Sequence, residues 1–522
     1  MTTGSLGSPV ILFDPSLQAR CPTGQCDCAC DCACVPPSQS GIPDAALGAG
    51  GSLVKPGDSI YTAPLDGEHT LAFNTAAARG PAVLNRAALK VWNAFSTPSS
   101  LARARERLDP WPADTVERAS RSLLAAGLLR PAACPPPQPA SRPQLLAAWL
   151  HVTDRCPLRC AYCYLPHEPM DMPIAVGRAA IDAAFRSALA HGYGRIKLKY
   201  AGGEPLLRLP AILELHRYAR RLAARHSLAL DGVVLSNGVL LTGDRVRVLR
   251  DVGLRLMISL DGLGEAHDAQ RPFADGRGSF TAVARGIDLA QKHNLVPDIS
   301  VTVSGRNAAD LPELVDWLLR RDLPFSINFY RQNHCAAPRD DLQLETEAVI
   351  AGVLEAYRVI ERNPPPYSLL TALADRTNAA HPHLHTCSAG HSYLVFTPTG
   401  DVAKCQMDMG NPVADCWTPD PVAEIRHSAI GMENPSVEKK EECYNCIWRY
   451  QCSGGCPIEA RIAGGSYSAR SPHCAIYRRL IPEVLKLEGK RLLREQQSRA
   501  DLKLVDQLPI TFANVRDSTH LS

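Results

Sequence analysis

The sequence predicts an α/β fold whose centre is an open, partial (β/α)6 barrel, preceded by a small domain and followed by a cysteine-rich domain. Between residues 145 and 335, six short apolar runs alternate with five helical stretches, the pattern of a parallel sheet with helices outside it. Six strands are too few for a closed eight-stranded barrel, so we expect an open one. The 522-residue chain is long enough for two to four domains.

Composition narrows the class of protein. A formal net charge of +3 does not favour binding to nucleic acid or to a membrane surface. The first thirty residues lack a basic start followed by an apolar run, and no eighteen-residue apolar stretch occurs, so we expect a cytoplasmic protein. Nineteen cysteines in a reducing compartment indicate metal or iron–sulfur ligands rather than disulfides.

The first 54 residues predict no packed domain. They are rich in Gly, Pro, Ser and Asp and show almost no periodic apolar face. We expect a disordered tail, with binding of a soft metal, a sulfur crosslink or another self-modification as alternatives. The cysteines concerned are Cys21, Cys26, Cys28, Cys30, Cys32 and Cys34.

Residues 55–132 predict a small domain. We expect a strand over Thr70–Phe73, a helix from Leu84 through Phe95 and a second helix over Val116–Leu129. This pattern resembles the PqqD-like peptide-recognition module, a small winged-helix-like fold. The resemblance implies that a leader peptide binds as an added strand; a helical DNA-binding or dimerisation domain is the alternative. Residues 133–144 form a Pro-rich linker.

A loop with the spacing C-x3-C-x2-C follows the first barrel strand. Three thiolates on one loop can hold three irons of a four-iron cluster and leave the fourth iron open. Cys156, Cys160 and Cys163, with Tyr162 before the last cysteine, resemble the signature of radical S-adenosylmethionine (radical SAM) enzymes. The resemblance implies that S-adenosylmethionine chelates the open iron, and that an electron cleaves it to methionine and a 5'-deoxyadenosyl radical. Tyr162 would lie near the adenine.

The tips of the next strands supply further candidates. The motif Ala201-Gly-Gly-Glu-Pro205 matches the family's GGEP motif, which implies that the glycines approach the methionine moiety and that Glu204 accepts from its ammonium group. Short polar side chains at the third and fourth tips would surround the cofactor or substrate. The predicted cofactor-binding residues are Tyr162, Gly202, Gly203, Glu204, Ser236, Asn237 and Ser259. Asp261 and Arg271 are catalytic candidates; Arg271 could bind a carboxylate or pair with Asp268.

A second cysteine system occupies the predicted domain at residues 336–480. Its seven cysteines resemble the SPASM extension, which holds two auxiliary four-iron clusters and would bring the total to three. The resemblance assigns Cys387, Cys405 and Cys456 to the first auxiliary cluster, and Cys443, Cys446, Cys452 and Cys474 to the second. The first cluster lacks a fourth cysteine, which leaves His381, His383, His385, a substrate thiolate or no ligand. Spacing alone would also allow zinc at Cys443 to Cys474.

One departure helps to choose the branch of the family. Sulfatase-maturing relatives carry an aspartate base after the second SPASM cysteine, whereas this chain has Gln406, with Asp408 two residues later. Formylglycine formation is therefore doubtful, and Gln406 and Asp408 join the catalytic candidates. We expect a maturase that joins a carbon of a ribosomal precursor peptide to sulfur or carbon, supplied with electrons by a flavodoxin or ferredoxin.

Two other readings of function stay open. One is a side-chain maturase of the sulfatase or quinone-cofactor type, and the other is an iron–sulfur binding or electron-transfer scaffold. At the carboxyl end, residues 481–522 would form a helix and tail, with the basic amphipathic stretch from about Ile476 to Leu504 packed back on the core.

Overall fold

The computed structural model describes residues 7–17, 51–135, 139, 145–333 and 340–505, with side chains to residue 498. The cysteines from Cys21 to Cys34, most of the Pro-rich linker and the expected boundary at residue 335 lie outside these ranges. Within them, no helix is both long enough and apolar enough to cross a bilayer.

The amino-terminal domain combines two small sheets with three helices. Its elements are β1 (Ile11–Phe13), β2 (Ser52–Val54), β3 (Ile60–Pro64), β4 (His69–Asn74), β5 (Ala82–Asn85), α1 (Arg86–Asn93), β6 (Ser99–Ser100), α2 (Leu101–Arg107), α3 (Ala113–Ala125) and β7 (Arg130–Pro131). One sheet has the order β1, β5, β4, β3, and the other places β2 between β6 and β7.

Local sequence explains the helices of this domain. Helix α1 begins where the side chain of Asn85 accepts a hydrogen bond from the backbone N–H of Ala88, at 2.9 Å. Its apolar face, including Val91, packs with Leu123 of α3 in a closed core. The predicted strand and two helices are confirmed, but Leu84, the expected start of the first helix, lies in β5, and the second helix ends at Ala125 rather than Leu129. Helix α2 was missed because its sequence LARARER buries only Ala104 and has no apolar stripe.

The expectation of a tail over residues 1–54 is wrong for residues 11–13 and 52–54, which form strands. Ile11 pairs with Leu84 and Phe13 with Ala82 in the antiparallel sheet. Both side chains pack against the core of the domain. These strands were not predicted, because a run of three residues has no period that distinguishes a strand from a loop.

The barrel contains six parallel strands in chain order, as predicted. The strands are β8 (Leu145–Thr153), β9 (Arg195–Gly202), β10 (Ala229–Ser236), β11 (Arg255–Ser259), β12 (Asp298–Val303) and β13 (Phe325–Phe329). The helices are α4 (Ile174–Ala190), α5 (Leu209–His226), α6 (Gly243–Asp251), α7 (Glu265–Asp268), α8 (Phe280–Lys292) and α9 (Leu311–Leu319). Nearly every residue of β8 is buried, as expected for a strand covered on both faces.

The cysteine-rich region extends this sheet instead of forming a separate layer. Its elements are α10 (Thr346–Arg362), β14 (Tyr393–Phe396), β15 (Asp401–Ala403), β16 (Ala414–Asp415), α11 (Pro421–His427), α12 (Arg449–Cys452) and α13 (Pro457–Gly464). Strand β14 runs parallel to β8, with Tyr393 opposite Ala147, and β15 and β16 follow antiparallel. The result is a nine-stranded mixed sheet that the sequence did not predict. Strands of two to four residues are too short to show a period.

Helix α14 contacts both the amino-terminal domain and the cysteine-rich region. It runs from Cys474 to Val505, so the expected boundary between residues 480 and 481 is wrong: it falls inside one helix. Lys490 Nζ lies 2.5 Å from Glu361 Oε1 of α10, and Arg491 Nη2 lies 2.7 Å from Asp14 Oδ2 beside β1. The predicted packing of this helix against the core is confirmed.

Candidate active site

The cysteine loop after β8 is fixed to the barrel by its backbone. The N–H of Arg159 donates to the carbonyl of Pro272, and the N–H of Ala161 donates to the carbonyl of Gln270, each at 2.8 Å. Three cysteine side chains of the anchored loop line one cavity at the carboxyl ends of the strands. They are Cys156, Cys160 and Cys163.

Burial dominates the acid–base behaviour of these thiols. It raises the pKa of Cys156 to about 12, although the N–H of Leu158 donates to its sulfur at 3.4 Å. Burial also raises the pKa of Cys160, and the guanidinium of Arg271 opposes that rise. The amide Nδ2 of Asn237 lies 3.6 Å from the Cys156 sulfur. Such thiols stay protonated at neutral pH unless a cation replaces the proton, which is the situation of a metal ligand.

The Gly202-Gly203 turn at the end of β9 packs directly on the start of the cysteine loop. A Cβ atom at Gly202, whose φ is 153°, would lie 2.2 Å from the carbonyl oxygen of Thr153. A Cβ at Gly203 would lie 2.4 Å from that of Arg155. The glycines are therefore required by contact between two backbones. Both also line the cavity, where direct contact with a cofactor stays a prediction.

Glu204 holds the neighbouring strand tip and does not line the cavity. Its Oε1 accepts from the hydroxyl of Ser236 and the N–H of Leu206, each at 2.9 Å, and its Oε2 accepts from the N–H of Asn237 at 2.8 Å. Burial raises the pKa of this carboxyl, and these three hydrogen bonds oppose the rise. The carboxylate thus orients Ser236 and Asn237. Its contact with an ammonium group of the cofactor stays a prediction.

Tyr162, Asp261 and Arg271 form one buried network. The hydroxyl of Tyr162 donates to Asp261 and accepts from Arg271. Arg271 Nη1 lies 3.6 Å from Asp261 Oδ2, and the backbone N–H of Thr302 donates to Oδ1 at 2.8 Å. Burial raises the pKa of Asp261, and Arg271 opposes this. Tyr162 and Arg271 line the cavity, whereas Asp261 lies behind them.

The alternative pairing of Arg271 with Asp268 is wrong. Asp268 instead accepts from the backbone N–H of Phe280 at 2.7 Å, at the start of α8. The Nε of Arg271 is buried without a hydrogen-bond partner. A buried donor of this kind beside three cysteines fits a site that takes an anionic or polar ligand.

Polar side chains from four strands, β10 to β13, complete the barrel side of the cavity. Ser236, Asn237 and Ser259 lie where the sequence predicts them. Sequence reasoning missed Ser300, Thr302, Ser326 and Asn328, which also line the cavity. Polar residues alternate with buried apolar ones along β12 and β13. That period of two is the signal that could have found them.

The far wall of the cavity comes from the cysteine-rich region. Gln406 lines it, and its Oε1 accepts from the hydroxyl of Tyr393 at 3.1 Å. The remaining residues of this wall are Thr371, Ala374, Arg376, Thr377, Asn378, His383 and Thr386. Apart from His383 they carried no motif and were missed. The cavity has a volume of about 310 Å³.

Asp408 does not line the cavity, and a catalytic role for it stays a prediction. Its Oδ2 accepts from the N–H of Met432 at 2.6 Å, and its Oδ1 accepts from the amide of Asn411 at 2.7 Å. The first of these bonds ties Asp408 to a residue 24 positions further along the chain.

Four cysteines of the carboxyl-terminal region lie near one another. Burial, together with the charges of the other three cysteines, raises the pKa of Cys452 to about 12. The same mutual effect acts on Cys443 and Cys474. The four are Cys443, Cys446, Cys452 and Cys474, the set predicted for one cluster. No three His, Cys, Asp or Glu side chains in the described ranges are arranged to hold a metal ion as they stand. The assignment therefore rests on spacing and proximity.

The other three predicted ligands lie on the barrel side of this group. Cys387 and Cys405 pack in one apolar cluster with Tyr393, and Cys387 and Cys456 both act on the pKa of the buried Lys440. Of the three nearby histidines, only His383 lines the cavity. His385 Nδ1 lies 2.9 Å from the carbonyl of Asn434, whose amide reaches the Cys387 sulfur at 3.7 Å. The fourth ligand stays a prediction.

Comparison with known proteins identifies the family. Residues 150–318 match the Radical SAM superfamily. GTP 3',8-cyclase 1 of Pseudomonas aeruginosa is 32% identical over 273 residues, which cover 49% of this chain and 78% of that protein. The chain belongs to the radical SAM superfamily. It is therefore a radical SAM enzyme, and membership implies S-adenosylmethionine and one four-iron cluster as cofactors.

Other relatives of this radical SAM enzyme act on peptides or proteins by name. A serine-type anaerobic sulfatase-maturating enzyme of Klebsiella aerogenes is 26% identical over 348 residues, covering 63% of this chain and 82% of the relative. A PqqA peptide cyclase of Rhodopseudomonas palustris is 26% identical over 356 residues, covering 63% and 87%. The solved structure "Native anSMEcpe with bound AdoMet and Kp18Cys peptide" superposes with a TM-score of 0.55 at 17% identity, covering 68% of this chain and 99% of that one. The last comparison supports the fold alone.

Proposed function

We propose that this radical SAM enzyme matures a ribosomally synthesised peptide by joining one of its carbons to sulfur or carbon. The observation that carries the proposal is the composition of the cavity. One wall holds Cys156, Cys160 and Cys163, and the opposite wall comes from the region of the seven auxiliary cysteines. A reacting carbon held between these walls would lie within reach of both systems.

The residues of the barrel fit the cofactors that the family implies. Three thiols, a partnerless Arg271 Nε and two glycines surround the same space, and burial raises the pKa of two of the thiols, Cys156 and Cys160. Bound there, S-adenosylmethionine and the cluster would supply a carbon-centred radical that abstracts hydrogen. The chain itself would bind the cysteine-ligated irons and orient the cofactor through Tyr162, Ser236, Asn237 and Ser259.

Two auxiliary four-iron clusters are part of the proposal. The mutual proximity of Cys443, Cys446, Cys452 and Cys474 supports one cluster. Cys387, Cys405 and Cys456 would hold the other and leave an iron for a histidine or a substrate thiolate. These clusters would accept the electron left after bond formation. Metal analysis with sulfide determination tests this assignment, because zinc would bring no sulfide.

The amino-terminal domain would bind the leader of the peptide. Its three-stranded antiparallel meander β3-β4-β5 followed by three helices supports the PqqD-like reading. Tyr61 packs edge-on against Trp448 with ring centroids 4.8 Å apart, and the Gln451 amide donates to the Thr75 carbonyl at 2.8 Å. The domain is thus fixed beside the auxiliary region, which would raise the local concentration of a bound peptide.

Side-chain maturation of the sulfatase type is the second candidate. The sulfatase-maturating relative favours it. However, Gln406 lines the cavity at the position of the family's aspartate base, and an amide cannot take up a proton at neutral pH. Asp408 does not line the cavity, and its carboxylate accepts hydrogen bonds from Met432 and Asn411.

Anaerobic reconstitution tests the reaction class. The full chain is loaded with iron and sulfide, then given S-adenosylmethionine and dithionite, with flavodoxin or ferredoxin as the proposed natural donors. We expect 5'-deoxyadenosine, and its loss in Cys156→Ala. Cys134→Ala is the matched control, because Cys134 is exposed and outside every cluster. Absence of 5'-deoxyadenosine from the loaded protein would contradict the proposal. Location in the cytoplasm stays a prediction.

A further inference from the structure

Strand β1 occupies an outer edge of the four-stranded sheet, next to β5. It is antiparallel, with Leu12 opposite Val83. The Asn85 side chain holds its start: Oδ1 accepts from the N–H of Val10, and Nδ2 donates to the carbonyl of Ser8, each at 3.0 Å. The N–H of Asn85 donates to the carbonyl of Val10 at 3.2 Å. A strand addition of this kind is held mainly by main-chain bonds.

Strand β1 lies at the margin of the core of this domain and not at its centre. Leu84, Val91 and Leu123 are fully buried in its core, whereas Ile11 and Phe13 are only partly buried at its margin. Thirty-three residues separate Leu17 from Gly51, so β1 is joined to the rest of the domain only through a long connection. A three-residue strand attached in this way has the form of a bound peptide rather than of a core element.

After β1 the chain contacts helix α14 and passes close to Leu370. Asp14 pairs with Arg491 of α14 at 2.7 Å and accepts from the N–H of Ser16 at 2.9 Å. A Cβ atom at Gly80 would lie 2.7 Å from Leu17 Cδ1 and 3.7 Å from Leu370 Cδ1, so these two leucines are close to each other. The residue after Leu370 is Thr371, which lines the far wall of the cavity.

Six cysteines follow immediately in the sequence. Cys21 is four residues after Leu17, and Cys34 is seventeen residues after it. Extended chain spans at most ~3.6 Å per residue, so these positions can reach about 14 Å and about 60 Å from Leu17. Residues 26–34 read Cys-Asp-Cys-Ala-Cys-Asp-Cys-Ala-Cys, in which every cysteine has a neighbouring α-carbon available for bonding to sulfur.

We propose that β1 is a built-in leader and that it tethers the Cys21–Cys34 segment as an intramolecular substrate of the cavity. This inference rests on the proposed function and names the peptide on which it acts. The product is a thioether between a cysteine sulfur and an α-carbon of the same segment.

The atoms and electrons of that step balance. The segment loses one hydrogen atom from carbon to the deoxyadenosyl group that S-adenosylmethionine supplies. It loses one proton from sulfur to water and one electron to an auxiliary cluster, and the carbon–sulfur bond forms. A reductase supplies the single electron that opens S-adenosylmethionine. Each bond therefore removes two hydrogen atoms from the segment and consumes one thiol.

Mass spectrometry of the full chain tests the inference. The reconstituted protein is incubated with S-adenosylmethionine and dithionite, reduced, alkylated and cut with trypsin, which cleaves after Arg20. We expect the fragment beginning at Cys21 to lose pairs of hydrogen atoms and to take up fewer alkyl groups than its six cysteines allow. If 5'-deoxyadenosine forms but all six thiols are still alkylated, the tethered-substrate inference is wrong while the radical activity stands. If no 5'-deoxyadenosine forms, both are wrong.

A second measurement tests the docking without catalysis. In the double variant Ile11→Asp/Phe13→Asp of the unloaded chain, we expect faster amide hydrogen exchange over residues 82–85, because the strand that covers them is released. In the loaded variant, crosslinking should slow about tenfold or more, since the segment loses its high effective concentration. Pro15→Ala is the matched control, because Pro15 is exposed and forms no part of the strand. Equal crosslinking rates in the double variant and the control would overturn the leader role of β1.

A mixing experiment tests whether the substrate is held in the same chain. Active chain is mixed at micromolar concentration with nitrogen-15-labelled Cys156→Ala chain, which carries the segment but cannot generate a radical. We expect crosslinks only in unlabelled fragments. Equal crosslinking of labelled and unlabelled fragments would show transfer between chains and would overturn the tether.

Discussion

Some of the buried side chains in this site position other residues and do not line the cavity themselves. Glu204 and Asp261 are the clearest cases, because each lies behind the residues that line the cavity. Glu204 holds Ser236 and Asn237 through direct hydrogen bonds. Asp261 accepts a hydrogen bond from Tyr162 and forms an ion pair with Arg271 at 3.6 Å. A change in either acid would therefore act on cofactor binding indirectly, by moving other groups.

Gly203→Ala should destabilise the protein and impair binding of S-adenosylmethionine. The new Cβ would lie 2.4 Å from the carbonyl oxygen of Arg155, and neither backbone can move without displacing the cysteine loop. Overpacking of this kind costs about 1–3 kcal/mol. Gly194→Ala is the control, since nothing lies within 4 Å of its Cβ position. Thermal unfolding and equilibrium dialysis with S-adenosylmethionine measure the two effects; equal melting temperatures for the two variants would contradict the argument.

Arg271→Met should destabilise the folded state by about 3–5 kcal/mol, because it leaves the Asp261 carboxylate buried without its cation. The loss should grow as pH rises. With its folded-state pKa raised above the unfolded value, Asp261 keeps its proton in the folded state over a window in which the unfolded chain has released it. Without Arg271 this window widens upward.

The control for this change is Arg277→Met, which removes an exposed arginine paired with Asp275. Urea unfolding at mildly acidic and at neutral pH gives the comparison. A difference between the variants that stays constant with pH would speak against Asp261 as the cause.

Elements rather than single residues decide how the three parts of the chain fit together. Helix α14 contacts β4 and β5 of the amino-terminal domain as well as α10 of the cysteine-rich region. Its Gly489 lies where a Cβ would meet Leu65 Cδ1 at 2.8 Å and Leu71 Cδ1 at 2.9 Å. The absence of a side chain at this position permits the close approach of helix and sheet.

Gly489→Val should loosen the amino-terminal domain, because a branched side chain cannot fit between α14 and β4. We expect faster hydrogen exchange over residues 69–74 and a loss of about 1–3 kcal/mol in stability. Gln497→Val on an exposed position of the same helix controls for the lower helix propensity of valine. Unchanged exchange in β4 would mean that the helix does not hold the domain.

The sequence predicts those helices and strands that are long enough to show a periodic apolar pattern. All six barrel strands and the order of their helices follow from runs such as Ile196–Tyr200 and from the C-x3-C-x2-C loop after the first strand. It does not predict β1, β14, β15 or β16, whose two to four residues fit loop and strand equally well. The far wall of the cavity was therefore missing from the predicted site, except for His383 and Gln406.

At the scale of the whole molecule, buried neutral histidines should make the protein sensitive to acid. Burial lowers the pKa of His267 to about 3 and that of His216 to about 4. The backbone N–H of Asp261 donates to Nδ1 of His267 at 3.3 Å. Protonation of Nδ1 would replace this hydrogen bond with two donors that face each other. The contribution of such a histidine is fully present above its unfolded pKa of about 6.5 and declines as pH falls below it.

We expect the melting temperature of the full chain to fall as pH drops from about 6.5 towards about 4, with each such histidine costing about 1.4 kcal/mol per pH unit. His267→Gln should be less stable at neutral pH but should show a shallower decline. Parallel curves for the variant and the wild-type chain would exclude His267 as a source of the acid sensitivity.

The pairing of β14 with β8 also bears on how such an enzyme can diversify. The two strands are held by a backbone ladder, in which Tyr393 stands opposite Ala147 and Phe396 opposite Leu150. Main-chain hydrogen bonds place little demand on side-chain identity. The loops that form the far wall can therefore change in sequence without loss of this pairing. The ladder keeps their distance from the cysteine loop constant.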